Sequence, residues 1–395
     1  MNRLGRACAE FMTLAVGLFC LSGSAARAES NDIRIVLTGQ SLLQADIRPS
    51  TPDAVATIRP LLRGDVVFTN FETTVKEEQD SLKDLAQLGG LYGPPEAFDV
   101  LQDMGFNLFA MSNNHIYDIG EVGLLNSLRH ARARKLAYAG IGMNLAEAAA
   151  PGYLRTPKGT VALVSMASGF IRDGSFATDT KPGLNVVHLE GGIADVDAGN
   201  PAKADADRIL GSIGQASKQA DLVIAYQHNH AFDHDFVYMM KNRLPERFAP
   251  PRWIKQWAHA EVDAGADIVV LHGAPFVHGV EIYRGKPIFY DLGNFIFHLP
   301  AGHEALFGPD PWKSVVATVD FDGKTLKSVS FRPIVLNEKG QGEGAHFIAT
   351  RGIPVPATGA KAQEILNELV ERSKPFGTKI EIAGDTAVLV LDPAK

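Results

Sequence analysis

The chain has 395 residues, of which 46% are hydrophobic and 21% are charged, and its formal net charge is −7. This is enough apolar material for one large domain, and the composition excludes disordered, collagen-like and coiled-coil proteins. Because the chain is acidic and has no basic tract, we do not expect it to bind nucleic acid.

The first residues have the three parts of a secretory signal peptide. Arg3 and Arg6 precede a short apolar segment, and Ala26 and Ala28 flank a cleavage point. Because the apolar segment is too short to span a bilayer, we predict a signal peptide over residues 1–28 and a single domain over residues 29–395. We therefore expect a periplasmic or secreted protein with no integral membrane span after cleavage.

Both cysteines, Cys8 and Cys20, lie inside this predicted signal peptide. The mature chain should therefore have no disulfide and no cysteine–metal site. Lipid attachment at Cys20 is an alternative that the preceding Phe19 disfavours.

Five short apolar runs rich in Val, Ile, Leu and Phe predict strands that are buried on both faces, as in an α/β sheet. They cover residues 33–38, 65–69, 107–112, 221–226 and 266–271. The segments between several of them have a helical period, and glycines predict the ends of three helices. These terminating residues are Gly105, Gly140 and Gly265.

The later part of the chain continues the α/β pattern. Further strands are predicted at residues 160–166, 287–292, 294–299 and 386–391, and a helix at 361–374. An Asp-Gly pair at Asp322 and Gly323, flanked by alternating residues, predicts a hairpin. With no repeat and no linker, we expect one domain with an irregular insert, a candidate substrate lid, at residues 229–252.

Polar side chains follow the predicted strands at the points where they end. Ligands bind outside the carboxyl ends of the strands in open α/β sheets, so we expect these side chains to meet at one edge of a central sheet. Four of the chain's 12 histidines are among them. The candidate site residues are Gln40, Glu72, Asn114, His115, Asp118, His228, His230 and His272.

Mixed oxygen and nitrogen ligands without thiolates suit one or two divalent ions, and the candidates are Mn, Fe, Zn and Co. Two ions about 3.5–4 Å apart would activate a water molecule and hold the leaving group. A histidine that binds no metal would protonate the departing oxygen.

Local structural roles are the alternative. Asp118, with Glu121 three residues later, resembles a capping box in which Asp118 is the N-cap. Asn113 and Asn114 resemble a turn. In the predicted insert, a solvated surface segment is favoured over a ligand-bearing loop for Asp233, His234 and Asp235.

Four segments resemble the CapA family of poly-γ-glutamate capsule biosynthesis proteins, within the calcineurin-like metallophosphatase superfamily. They are "GDVVFTNFETTV", "MSNNHIYDIGEVGLLNSL", "GIGMNLAEA" and "GADIVVLHGAPFVHGVEIYRGKPIFYDLGNFIF". The resemblance covers most of the chain between residues 33 and 336. It implies an α/β fold, a metallophosphatase-like αββα sandwich of two mixed sheets flanked by helices, with a metal site at the strand ends.

The resemblance also implies roles for individual residues. Glu72, Asn114, His228 and His272 would bind metal, and His115 would assist the leaving group. Three positions depart from the family pattern. Gln40 stands where Asp is common, Pro275 where a second His is common and Asp291 where Ser is common. His230, His278 and Asp291 are candidates to compensate for the missing ligands.

Two functions follow from these residues and from the resemblance. The first is a metal-dependent hydrolase that acts on a phosphoester or an amide in the cell envelope. The alternative is a non-catalytic factor in the synthesis or export of poly-γ-glutamate or another anionic surface polymer. A third reading is a scaffold protein of the export pathway. The expected partner is a small-molecule or anionic polymer substrate, and the sequence does not determine the oligomeric state.

Overall fold

A computed structural model describes residues 32–81, 90–190, 199–302 and 304–391 of the chain. The predicted signal peptide lies outside the described residues. The helices are α1 (Ala54–Ile58), α2 (Glu96–Met104), α3 (Gly120–Ala133), α4 (Leu145–Ala148), α5 (Lys203–Ala216), α6 (Phe236–Lys241), α7 (Arg252–Ala264), α8 (Glu304–Phe307), α9 (Gly344–Thr350) and α10 (Gly359–Ser373).

The strands are short, as the apolar runs predict. They are β1 (Ile33–Leu37), β2 (Gln40–Leu42), β3 (Val66–Asn70), β4 (Thr74–Val75), β5 (Tyr92–Gly93), β6 (Leu108–Ala110), β7 (Ala137–Ala139), β8 (Ile141–Gly142), β9 (Gly152–Thr156), β10 (Gly159–Ser168), β11 (Gly183–Leu184), β12 (Val186–Val187), β13 (Leu222–Asn229), β14 (Ile268–His272), β15 (Val280–Tyr283), β16 (Lys286–Phe289), β17 (Asn294–Phe297), β18 (Lys313–Asp322), β19 (Thr325–Leu336), β20 (Pro354–Pro356), β21 (Ile380–Ala383) and β22 (Thr386–Leu389).

Two large mixed sheets form the centre of the molecule. The first sheet has nine strands in the order β21-β22-β19-β18-β1-β3-β6-β7, with β20 beside β19. The second has seven strands in the order β12-β10-β13-β14-β16-β15, with β9 beside β10. The run from β1 to β7 in the first sheet is parallel, and so is the run from β12 to β16 in the second.

Three apolar layers explain why the two sheets stack. A core between the sheets combines Leu37 and Phe68 of the first sheet with Ile224 and Val270 of the second, and α10 packs on it. The outer face of the first sheet packs on α2 and α3, and that of the second on α5 and α7. Because β3, β6 and β14 are buried along their whole length, their sequences are nearly continuous apolar runs.

This architecture confirms the αββα sandwich of two mixed sheets that the resemblance implies. The expectation of one central sheet, drawn from the strand pattern alone, is wrong. Three of the five predicted runs form β1, β3 and β6 of the first sheet, and the other two form β13 and β14 of the second. Apolar runs of equal length do not encode which sheet they join.

The sequence predicts that the helix corresponding to α3 ends at Gly140, and this prediction is also wrong. Helix α3 ends at Ala133, and Lys135 follows with a left-handed φ of 54°. Residues 137–139 then pair with β6 in parallel. The other two predicted stops are confirmed, since Gly105 and Gly265 close α2 and α7 with φ values of 117° and 120°.

The hairpin predicted at Asp322 and Gly323 is confirmed by the antiparallel pairing of β18 with β19. The insert at residues 229–252 contains α6, and its Met239 and Met240 form a small apolar cluster with Phe276, which lies outside the insert. Among the described residues, no helix is both long and apolar enough to cross a bilayer.

Candidate functional site at the strand ends

Side chains from both sheets meet where β3, β6, β13 and β14 end. Glu72 lies two residues after β3, and the turn at residues 113–118 follows β6, the parallel neighbour of β3. In the second sheet, His228 on β13 pairs directly with His272 on β14. The candidate site is therefore built from the facing ends of two sheets.

Glu72 and His228 form a buried pair between the sheets. The Glu72 carboxylate is 2% exposed, and its Oε1 lies 3.6 Å from Nε2 of His228. Among the described residues, Oε2 of Glu72 and Nε2 of His228 have no hydrogen-bond partner. Burial raises the pKa of Glu72 to about 7 and holds the pKa of His228 well below its ordinary value. A buried acid and base without partners are chemically available to a ligand.

His272 and His230 flank this pair. His272 is 2% exposed, and neither of its ring nitrogens has a hydrogen-bond partner in the part of the chain that the structure describes. Its ring lies 5.4 Å from that of Tyr226, and the ring of His230 lies 5.0 Å from that of His228. Burial lowers the pKa of His272 to about 3, so the neutral, metal-binding form is favoured.

Asn113 builds the turn that carries the neighbouring site residues. Its Oδ1 accepts hydrogen bonds from the backbone N–H groups of His115 and Ile116, at 3.1 and 2.9 Å. Its amide nitrogen donates to Oδ1 of Asn70 and to the carbonyl of Phe71. The turn expected from the Asn-Asn pair is thus made by Asn113. The next residue, Asn114, keeps a buried Oδ1 without a hydrogen-bond partner.

His115 and Asp118 form an ion pair beside Glu72. Nδ1 of His115 lies 2.7 Å from Oδ2 of Asp118, and Nε2 of His115 lies 3.9 Å from Oε1 of Glu72. Burial opposes the charge on His115, but the neighbouring Asp118 and Glu72 outweigh it and raise the pKa of this imidazole. The His115 side chain is 24% exposed, so this residue forms the solvent-facing side of the site.

The capping-box interpretation of Asp118 is wrong. The residue that precedes α3 is Ile119, and no side chain caps this helix end. Both carboxylate oxygens of Asp118 are used elsewhere. Besides His115, the backbone N–H of Leu91 donates to Oδ2 at 2.7 Å and Nε of Arg172 donates to Oδ1 at 3.1 Å.

Sequence reasoning missed two residues of this neighbourhood, Arg172 and Tyr226. Arg172 lies in the loop after β10, far from any motif, and no sequence pattern links it to Asp118. Tyr226 is an inward-facing residue of β13, two positions before His228, and its hydroxyl lies 3.5 Å from Nδ1 of that histidine. The period of two along a strand predicts that Tyr226 and His228 share a face, which is the signal that was available.

Gln40, the first residue of β2, and Asp291, between β16 and β17, lie at the edge of the site. Nε2 of Gln40 donates to Oδ1 of Asn294 on the paired strand β17 at 3.0 Å, and Oε1 of Gln40 has no hydrogen-bond partner among the described residues. Asp291 is 2% exposed and accepts a hydrogen bond from the backbone N–H of Gly293 at 2.7 Å. Burial raises the pKa of Asp291 well above its ordinary value, and the charge of Glu72 adds to the shift.

The chemistry of these donors fits a divalent metal ion. Metal–ligand distances of about 2.0–2.2 Å allow one ion to contact two donors up to about 4.2 Å apart. The 3.6 Å separation between Glu72 and His228 meets this condition. In the described part of the chain, no three His, Cys, Asp or Glu side chains are arranged to hold one ion together. An ion at this pair would therefore take further ligands from amide oxygens or solvent.

The segments that build this geometry also match a known family. The family model described as "Bacterial capsule synthesis protein PGA_cap" matches residues 34–299, which include every candidate site residue. The chain belongs to this family. The CapA resemblance of the sequence motifs is thereby confirmed.

Two relatives of this capsule synthesis family member differ in how much of the chain they match. The uncharacterized protein y4sH of Sinorhizobium fredii is 27% identical over 93% of this chain and 95% of its own length. The PGA biosynthesis protein CapA of Bacillus subtilis is 29% identical over 61% of this chain and 55% of its own length. The chain thus matches little more than half of that Bacillus protein.

A solved structure described as a novel phosphatase from Mycoplasma pneumoniae aligns with 78% of this chain and 94% of its own. The TM-score is 0.44 and the sequence identity is 12%. This likeness is too weak to carry a conclusion about the fold or the activity.

Proposed function

We propose that this capsule synthesis family member is a metal-dependent hydrolase that cleaves a phosphoester, or alternatively an amide, in the cell envelope. One observation carries the proposal. Buried donor atoms of Glu72 and His228 face each other from two sheets without hydrogen-bond partners, beside the partly exposed pair of His115 and Asp118. The envelope location rests on the predicted signal peptide.

The proposed roles follow from exposure and hydrogen bonding. Glu72, His228 and the amide oxygen of Asn114 would hold one divalent ion, and His272 would bind a second ion where two are present. When bound, these ions supply positive charge that polarises the scissile bond. His115 donates a proton to the leaving oxygen, because its Nε2 faces the site while Asp118 holds its Nδ1. Gln40 and His230 flank these residues, and each is proposed as a further ligand.

The experiment is a hydrolysis assay of the purified chain with diphenyl phosphate, whose weakly acidic phenol requires a proton as it departs, with and without chelator and added Mn²⁺ or Zn²⁺. We expect turnover that the chelator abolishes. Loss of a general acid removes roughly 10²- to 10⁴-fold, so His115→Ala should lower kcat by that factor. The surface variant His346→Ala should not change it. Turnover that survives both the chelator and His115→Ala would contradict the proposal.

The residues at two expected ligand positions, at the edge of the site, favour a second function. Gln40 is bonded to Asn294, and Pro275 stands where the resemblance implies a histidine, so two expected ligands are absent. A relative of the chain is named PGA biosynthesis protein CapA. These observations support a non-catalytic factor that binds poly-γ-glutamate or another anionic surface polymer. Calorimetric binding of poly-γ-glutamate, with no turnover of small esters at any metal concentration, would select this function over hydrolysis.

A further inference from the structure

Arg172 is brought to the candidate site by the tertiary fold alone. It lies in the loop that follows β10 of the second sheet, whereas Asp118 follows β6 of the first sheet. Its Nε donates to Oδ1 of Asp118 at 3.1 Å, and the Arg172 side chain is 31% exposed. The contact therefore joins the two halves of the sandwich at the mouth of the site.

Close contacts restrain the loop backbone on both sides of Arg172. Gly169, with φ of 86°, lies so close to His230 and Ala231 that a Cβ atom would be 2.2 Å from a backbone nitrogen. On the other side, the hydroxyl and backbone N–H of Ser175 both donate to the carbonyl of Arg172, at 2.7 and 3.1 Å. These contacts restrict the position of the Arg172 backbone.

The contacts of Asp118 show what Arg172 does there. Oδ2 of Asp118 accepts from Nδ1 of His115 and from the backbone N–H of Leu91, both at 2.7 Å. Arg172 binds the other oxygen, Oδ1, and thereby resists rotation of the carboxylate about its Cβ–Cγ bond. The orientation of the His115 ring, which directs Nε2 toward Glu72, depends on that carboxylate plane.

We propose that Arg172 is a positioning residue that acts on His115 through Asp118. The inference rests on the proposed function for its effect on turnover, but not for its effect on the imidazole ring. A purely structural arginine would change stability alone. A positioning arginine also changes the state of the His115 ring in the folded protein.

The test compares Arg172→Met with Arg34→Met in the full chain. Arg34 is a matched control, because its Nε also binds an aspartate, Asp320, at 2.7 Å, at the opposite end of β1 from the site. Histidine-selective ¹⁵N labelling reports the Nδ1–H of His115, and the spectrum of His115→Asn assigns that signal. We expect exchange broadening or loss of this signal in Arg172→Met and in Asp118→Asn, and an unchanged signal in Arg34→Met.

Turnover gives the second readout. Removing a group that orients a catalytic or metal-binding side chain typically costs roughly 10- to 100-fold, and we expect this loss in kcat of Arg172→Met with little change in KM. The double variant Arg172→Met, Asp118→Asn should be no slower than Asp118→Asn, and Arg172→Lys should restore part of the rate.

The outcomes separate the two proposals. A His115 signal in Arg172→Met that matches Arg34→Met overturns the positioning role whatever the activity. If the chain has no hydrolase activity but the signal is lost, the positioning role stands and the proposed function fails. If Arg172→Met does not fold, Arg172→Lys and Arg172→Gln decide by the same signal.

Discussion

The buried ionisable residues of this protein differ in their hydrogen-bond partners and neighbouring charges, and their pKa values differ accordingly. Asp118 is 3% exposed, but the charge of His115, hydrogen bonds from His115 and Leu91 and the charge of Arg172 outweigh the desolvation and lower the pKa of the carboxyl group. Glu72 is 2% exposed, the charge of His115 only partly offsets its burial, and its pKa rises to about 7. The two neighbouring carboxyl groups thus differ in pKa because hydrogen-bond donors and two basic side chains surround Asp118, whereas only the charge of His115 opposes the burial of Glu72.

The burial of Glu261 leads to a prediction about folding stability that does not depend on the candidate functional site. This residue of α7 is fully buried against the second sheet, and burial, which the Trp257 indole only partly offsets, raises its pKa to about 8. The folded state therefore holds its proton up to that pH, whereas the unfolded chain releases it above its ordinary pKa of 4.5. Folding stability should fall as the pH rises from 4.5 to 8, by up to about 1.4 kcal/mol per pH unit.

Urea unfolding of the wild type and Glu261→Gln at pH 5, 6, 7 and 8 measures this effect. The variant carries no titrating group there, so its advantage over the wild type should grow with pH. The surface variant Glu338→Gln should track the wild type. A constant difference between wild type and Glu261→Gln across this range would show that Glu261 does not titrate within it.

At the scale of elements, the ends of strands are fixed by glycines where two backbones approach. Gly273 follows β14 with φ of 128°, and a Cβ atom there would lie 1.9 Å from the carbonyl oxygen of Asn229. Gly39 packs in the same way on Gly293, because a Cβ atom on Gly39 would lie 2.2 Å from the carbonyl oxygen of Gly293. These contacts set the positions of His272 and Gln40, the residues next to them in the chain.

Gly273→Ala should therefore be strongly destabilising. Gly285 is a matched control, since it also has a left-handed φ, 74°, but no atom lies within 4 Å of its Cβ position. Left-handed backbone alone costs an alanine about 1–2 kcal/mol, which is the loss expected for Gly285→Ala. Gly273→Ala must also displace backbone, so we expect a loss on the order of 3 kcal/mol or more in the free energy of unfolding. Equal losses in the two variants, measured by urea unfolding, would contradict the close approach.

At the scale of the molecule, the two sheets share one apolar core and one polar edge. Phe68 and Tyr226 pack against each other across the core, with ring planes inclined by 54° and ring centroids 5.4 Å apart. Glu72 and His228 lie further along these two strands, at the edge of the sheets. A ligand that binds both Glu72 and His228 would therefore tie the sheets together.

Metal binding should raise the stability of the whole chain. A ligand that binds only the folded state adds about 2.7 kcal/mol at 100 times its Kd, so Mn²⁺ or Zn²⁺ should raise Tm and a chelator should reverse the shift. Removing both donors in Glu72→Gln, His228→Gln should abolish this rise, while His346→Ala should retain it. A rise in Tm that persists in the double variant would place the ion elsewhere, and its absence in the wild type would count against a metal site.

The residues that tertiary structure corrected show the limits of the sequence pattern. Asp118 and Glu121 have the spacing of a capping box, but the helix begins after Ile119, and Asp118 pairs with a histidine and an arginine instead. Asp235 is exposed, as the sequence predicts, and it also caps α6 by accepting from the N–H of Tyr238 at 2.8 Å, although Tyr238 stands where a capping box has Glu or Gln. A capping-box spacing therefore does not by itself decide which aspartate caps a helix.

The sequence by itself determined the α/β class, the strand segments, most helix ends and the family, because each depends on apolar period, turn residues and local motifs. It also named the polar residues at the strand ends. Tertiary structure decided that the strands divide between two sheets, that Glu72 and His228 face each other across them, and that Arg172 reaches Asp118. These contacts join residues 54 to 156 positions apart, and no local propensity encodes a pairing that arises only when two separately formed surfaces pack.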